Sequence, residues 1–197
     1  MKTKQLLFLS LLFLIVFAGC CLHFSCNEAK SKPVGKEASL QAIIADSKTN
    51  INSIYFFIDK SDYRLTVMSQ KSKLKSFPVV FGRNPKDDKL MQGDGCTPEG
   101  WYKIKAVYPH KKWSKFMWID FPNAQSQKKF NQAVARGVIT AATNIGGDIG
   151  IHGVPEGMDD MIAKQFNWTL GCISLSNKDV NELYAVAKVG TRVFIQK

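Results

Sequence analysis

The chain has 197 residues, enough for one sizeable hydrophobic core, and a formal charge of +11. That sign asks for an anionic partner. The lysines are scattered, however, and no RNA-binding, zinc-finger or helix-turn-helix pattern accompanies them, which argues against nucleic acid. Five cysteines without dense spacing and three histidines without a close Cys/His grouping set aside a disulfide scaffold and a zinc site.

The first residues are ordered like an export signal. "MKTKQ" is cationic, "LLFLSLLFLIVFA" is apolar, and "GCC" follows at once. The apolar run of about 13 residues is short of the roughly 20 that span a bilayer as a helix. A cleaved signal over 1–19 is therefore expected rather than a permanent anchor. Removing Lys2 and Lys4 leaves a charge of +9, from 11 minus 2. "VFAGC" also resembles a bacterial lipoprotein signal. That resemblance implies cleavage before Cys20 and a lipid bilayer as partner through lipidated Cys20, although Phe17 stands where an aliphatic residue is usual. A simple secreted form and an uncleaved anchor are the other two readings.

Residues 20–50, with "EAKSKPVGKEASL", read as a polar tether carrying Cys21 and Cys26, and "QAIIAD" as a short element within it. The folded domain is expected over 51–197. Its first part reads as a meander of three strands over 55–58, 64–68 and 77–81, with Pro78 favouring an edge or entry position. "KDDKLMQGDGCTPEG" is too rich in Gly, Asp and Pro to be an element. "WYKIKAVYP" and "FMWIDFP" are two more strands, joined through the basic turn "HKKW", which reads as a solvated face. "NAQSQKKFNQAVARG" has an Asn123 cap and a Gly137 stop, and is a helix. "DIGIHG" is a short strand, and "MDDMIAKQF" a helical turn. "SNKDVNELYAVAKVG" is a helix capped by Ser176 or Asn177, with Val180, Leu183, Tyr184 and Ala187 on one face. "TRVFIQ" closes the chain as a strand.

The chemistry centres on "NWTLGCISLS". A cysteine nucleophile needs a base within hydrogen-bond reach, usually His. His110 sits in the basic turn. His152 ends a strand beside Gly153, where a side chain is held rigidly yet can face a pocket, and lies 20 residues before Cys172. Spacing alone leaves two readings open: a Cys172–His152 pair, or an inert buried cysteine with an unrelated histidine. Gly171 permits unusual backbone angles. Amides near Gly171 and Cys172 are candidate oxyanion donors for acyl transfer.

Five segments occur in order: "GDGCTPEGWYKI", "WIDFPN", "IGIHGVP", "NWTLGCISLSNKDVNELY" and "GTRVFI". Together they resemble the L,D-transpeptidase catalytic domain, the YkuD-like family, in its branch with a "GDGxTPEGxY" segment. The resemblance implies a mostly β, YkuD-like β-sandwich with inserted short helices. It also implies a cysteine acyltransferase acting on peptidoglycan stem peptides, without metal or cofactor. Matching motifs make Cys172 the nucleophile and His152 the base. Gly171, Gly153 and Thr169 are expected to shape the site, and Trp168, Ser174 and Tyr102 to touch substrate. Asp94, Thr97, Glu99 and Gly100 are expected to form the loop beside it.

The family commonly has "SHGC" where this chain has "TLGC", with Leu170 in place of the second histidine, and Ser174 stands where Arg or Asn is frequent. These departures leave transfer against hydrolysis open. An L,D-carboxypeptidase or peptidoglycan hydrolase using the same site, and a non-catalytic envelope-binding lipoprotein, are the alternatives. A cell-envelope, extracytoplasmic location follows from any of them.

Overall fold

The structure, a computed structural model, describes residues 37–197. The expected signal, Cys20 and the start of the tether lie outside the described residues. Helix α1 (Leu40–Asp46) is capped by Ser39, whose side chain accepts the Ala42 N–H. Leu40 is fully buried in the main core, and its N–H donates to Glu182 Oε2 at 2.9 Å. The compact unit therefore runs from Ala38 to Lys197. The domain boundary expected at residue 51 therefore moves toward the N-terminus, because Leu40 enters the core and Ile44 packs against it.

Eight strands follow: β1 (Ile54–Asp59), β2 (Arg64–Ser69), β3 (Ser72–Pro78), β4 (Gly100–His110), β5 (Ser114–Ile119), β6 (Gly150–His152), β7 (Ile173–Ser174) and β8 (Arg192–Gln196). They form one curled sheet in the order β3-β2-β1-β8-β4-β5-β6-β7. Strand β4 joins its two halves. Residues from Gly100 to Lys103 pair with β8, and from Ile104 onward with β5, across an irregularity between Ile104 and Ala106. The two ends of the sheet meet where Val80, just past β3, bridges Ser174 of β7. The architecture is mostly strands with a few short helices, as the sequence led one to expect.

One expected strand shifts. The segment placed over 77–81 begins instead at Ser72, in a hairpin with β2, and the chain leaves the ladder after Pro78. Lys73, which is exposed, and Lys75, whose ammonium pairs with Glu182, interrupt the apolar pattern and mask the strand. Helices α2 (Ala124–Ala135), α3 (Asp160–Ala163) and α4 (Asn177–Tyr184) complete the fold. Asn123 caps α2 by accepting the Ser126 N–H, and Ser176 caps α4 by accepting the Asp179 N–H. Val180 and Leu183 of α4 are buried in the core, with Tyr184 and Ala187 packed against it. Among the described residues, no helix is long and apolar enough to cross a membrane.

Candidate active site

Strands β6 and β7 run parallel, with Ile151 opposite Ile173 and His152 opposite Ser174. Ile151 and Ile173 are fully buried on the core side. Side chains alternate along a strand, so His152 lies on the other face. Extending the register back by one residue sets Cys172 opposite Gly150, on the same face as His152. Two residues along a strand is about 6.6 Å and one strand spacing about 4.8 Å, which puts the two Cα atoms about 8 Å apart. A cysteine and a histidine on one face can close that separation with their side chains. Both line a single cavity of about 870 Å³.

The histidine is tightly fixed. It is 1% exposed, its ring stacks on Trp113 at 4.5 Å between centroids, and it meets Trp168 edge-on at 5.6 Å. Its Nδ1 lies 2.6 Å from the Gly153 carbonyl oxygen. A carbonyl only accepts, so Nδ1 carries the proton and Nε2 is left as a bare acceptor. Burial drives the imidazole down to about 4, against the opposing pull of that hydrogen bond. His152 is thus a neutral base at neutral pH.

Cys172 is half-buried. Burial pushes its thiol up to about 11, the Gly150 backbone N–H opposes this, and the Asp148 carboxylate adds to it. Its S–H points to the Asp148 carbonyl at 3.5 Å. The resting pair is therefore thiol and imidazole, not thiolate and imidazolium, and the proton must move during attack.

Thr169 shapes the turn before Cys172. Its hydroxyl donates to the Cys172 carbonyl at 2.7 Å and accepts the Gly171 N–H at 3.2 Å. Gly171 has φ +138°, and a Cβ there would stand 2.6 Å from the Cys96 carbonyl, so only glycine fits. The Gly171 amide, expected to serve an oxyanion, is thus occupied by Thr169. The Cys172 N–H makes no hydrogen bond among the described residues and is the donor left over.

Other expected residues fall differently. Trp168 and Thr169 line the cavity, and Leu170, 67% exposed, stands at its mouth. Ser174 is fully buried and donates to the Gly153 carbonyl at 3.3 Å. It supports the histidine's partner and does not line the cavity. Tyr102 is buried under α2, bonded to the Glu99 carbonyl and Ser126, away from the cavity. Both were expected to touch substrate. Neither lines the cavity: Tyr102 is enclosed beneath α2, and Ser174, although on the same face as Cys172, is covered and committed to the Gly153 carbonyl. Gly153 acts through its carbonyl, and a Cβ there would meet Asn177 Oδ1 at 2.2 Å.

The loop before β4 is locked by Asp94, whose carboxylate accepts the Leu90, Met91 and Cys96 N–H groups and pairs with Lys89 at 2.9 Å. Burial works against its ionisation, but these donors outweigh it and hold Asp94 below the ordinary range. Thr97 accepts the Gly82 N–H, and Glu99 pairs with buried Lys60 at 2.8 Å. Cys96 and Cys172 are both free thiols. Among the described residues, no group of three or more His, Cys, Asp or Glu side chains is arranged to hold a metal.

Sequence reasoning missed Trp113, read as part of a solvated basic turn. It also missed Arg83 and Lys89, which come to the cavity from the β3–β4 connection, and Asp148, which comes from the α2–β6 connection. His110, also assigned to that turn, stacks on Trp113 at 4.4 Å.

A curled, mostly β domain with cysteine and histidine on one cavity wall defines the class. The model of the L,D-transpeptidase catalytic domain, YkuD, matches residues 53–195, and the chain belongs to that family. Among solved structures, the helical cell shape determining protein Pgp2 from Campylobacter jejuni is similar at 20% identity and TM-score 0.56, over 80% of this chain and 55% of that one. Bd1075 from Bdellovibrio bacteriovorus is similar at 19% identity and TM-score 0.52, over 73% of this chain and 48% of that one. The chain spans about half the length of these two proteins, and at such identity the likeness is one of fold. Comparison with curated protein sequences finds no significant relative.

Proposed function

We propose that this chain is a cysteine acyltransferase acting on peptidoglycan stem peptides, with Cys172 as nucleophile and His152 as base. The observation that carries this reading is the shared wall: Cys172 and His152 line one cavity, and the Nε2 of His152 is a bare acceptor. Family membership supports the substrate class.

The sulfur attacks the carbonyl carbon of the third residue of a tetrapeptide stem while His152 Nε2 takes the thiol proton. The carbonyl oxygen becomes an oxyanion facing the Cys172 N–H. Collapse breaks the bond to the terminal D-Ala, whose nitrogen leaves with the proton from His152, and a thioester remains. An amine of a second stem then attacks the thioester, His152 takes its proton, and Cys172 leaves as the thiol. Water in place of the amine gives an L,D-carboxypeptidase by the same steps. A cell-envelope location, with a lipid anchor at Cys20, fits this substrate.

The test is mass analysis of disaccharide-tetrapeptides incubated with the protein. Loss of the terminal residue with dimer formation supports transfer, and loss without dimer supports hydrolysis. Tetrapeptides left intact by the wild-type protein, or consumed equally by Cys172→Ala, sink the reading.

A further inference from the structure

The cavity wall carries three charged side chains in addition to the catalytic pair: Arg83, Lys89 and Asp148. Lys89 is buried and already paired with Asp94. Asp148 stands beside the nucleophile, where its charge acts on the thiol. Arg83 differs. Its side chain is exposed, and its guanidinium makes no ion pair or hydrogen bond among the described residues.

Its backbone, by contrast, is held. The Arg83 N–H donates to the Thr169 carbonyl at 3.1 Å, and Gly82 forms a parallel bridge with Thr169. Thr169 in turn grips the Cys172 carbonyl. The root of Arg83 is thereby fixed to the turn that presents the sulfur, while its fork of five N–H donors is uncommitted on the cavity wall. A guanidinium recognises carboxylate through two parallel hydrogen bonds, with a geometry that lysine cannot reproduce. Asp148 repels an anion near the sulfur, so a substrate carboxylate gains most by lying toward Arg83.

We propose that Arg83 forms a carboxylate-binding subsite for the donor stem, a specificity that rests on the acyltransferase reading above. A tetrapeptide stem offers two such groups near the reacting carbonyl. One is the terminal carboxylate of the leaving residue. The other is the side-chain carboxylate of a diamino-dicarboxylic third residue, which a lysine stem lacks. Arg83 engages one of these, orients the carbonyl over Cys172, and disfavours donors without it.

Binding tests this without turnover. The full chain carrying Cys172→Ala is titrated calorimetrically with a disaccharide-tetrapeptide bearing diaminopimelate, with and without Arg83→Gln. Loss of a charge-assisted pair is expected to weaken binding by about 10- to 100-fold. Arg83→Lys, which keeps charge but loses the fork, is expected to fall between. Two further ligands identify the carboxylate, one amidated at the stem C-terminus and one at the diaminopimelate side chain. The ligand lacking the engaged group binds weakly and no longer responds to Arg83→Gln.

Equal affinity of the two proteins within twofold overturns the proposal, as does the absence of measurable binding to Cys172→Ala. Thermal melting of both variants checks that exposed Arg83 is not needed for folding. Acylation of the wild-type protein is measured in parallel. If binding depends on Arg83 but no acylation occurs, the subsite stands and the catalytic reading falls.

Discussion

A neutral, buried His152 has a consequence for stability that can be measured apart from activity. The imidazole moves from an ordinary value of 6.5 to about 4 in the folded chain, driven by burial. As pH falls, the unfolded chain takes up the proton first, so the folded state is penalised. Stability associated with the neutral ring is fully present above about pH 6.5 and is lost as pH falls through about 4. At about 1.4 kcal/mol for each tenfold change, the full span is worth about 3 kcal/mol. That is a large share of the 5–15 kcal/mol of a typical domain.

The assay is urea unfolding at intervals from pH 7.5 to 3.5, on the wild-type protein and on His152→Gln. The variant starts less stable because it loses the stack on Trp113. Its pH slope should nevertheless be shallower, by about 3 kcal/mol over the range. Carboxylates titrate in both proteins and cancel in the difference. Parallel curves, agreeing within about 0.5 kcal/mol at every pH, would refute the account of His152 as a buried neutral base.

Kinetics report the same resting state. With His152 near 4 and the Cys172 thiol near 11, acylation by a carbapenem-type probe should be flat from about pH 5.5 to 8.5 and fall below it. Alkylation of Cys172 by iodoacetamide should still be rising at pH 9, and saturation near pH 6 would mean a preformed thiolate. Thr169→Ala removes both hydrogen bonds that shape the nucleophile turn. It is expected to cost about 1–2 kcal/mol in denaturant unfolding and at least about tenfold in acylation rate, with Thr169→Ser recovering much of both. Leu40→Ala, at a fully buried position ahead of the expected domain boundary, should destabilise by about 2–5 kcal/mol. A change below about 0.5 kcal/mol would return residues 38–50 to the tether.

The fold was readable where one local pattern settled one element. Alternation marked the strand over 64–68, and Asn123 and the Ser176–Asn177 pair marked the starts of α2 and α4, because a cap is a contact within a few residues. Helix α1 was harder. Its short apolar run, with Leu40 and Ile44 meeting the core, gains its meaning only from strands assembled elsewhere.

The pairing of Cys172 and His152 on one cavity wall was legible through the order of five motifs rather than the spacing of the two residues. What the motifs left out is tertiary. Period-2 alternation says which residues share a face, but not how far along that face the cavity opens, and this misplaced Ser174. Trp113 looked like part of a solvated basic turn because nothing local shows the β4–β5 hairpin returning to stack it on His152. Gly171 was identified as special in its backbone, while the capture of its N–H by Thr169 depends on a side-chain rotamer that no sequence pattern fixes.

The central claim is that Cys172 forms an acyl-enzyme with the help of His152. Intact-mass measurement followed by peptide mapping, after incubation with a tetrapeptide stem or a carbapenem-type probe, tests it most directly. The account predicts one adduct, located on Cys172, absent from Cys172→Ala and formed about 100-fold or more slowly by His152→Gln. An unmodified wild-type protein, an adduct on Cys96, or an unchanged rate in His152→Gln would contradict it.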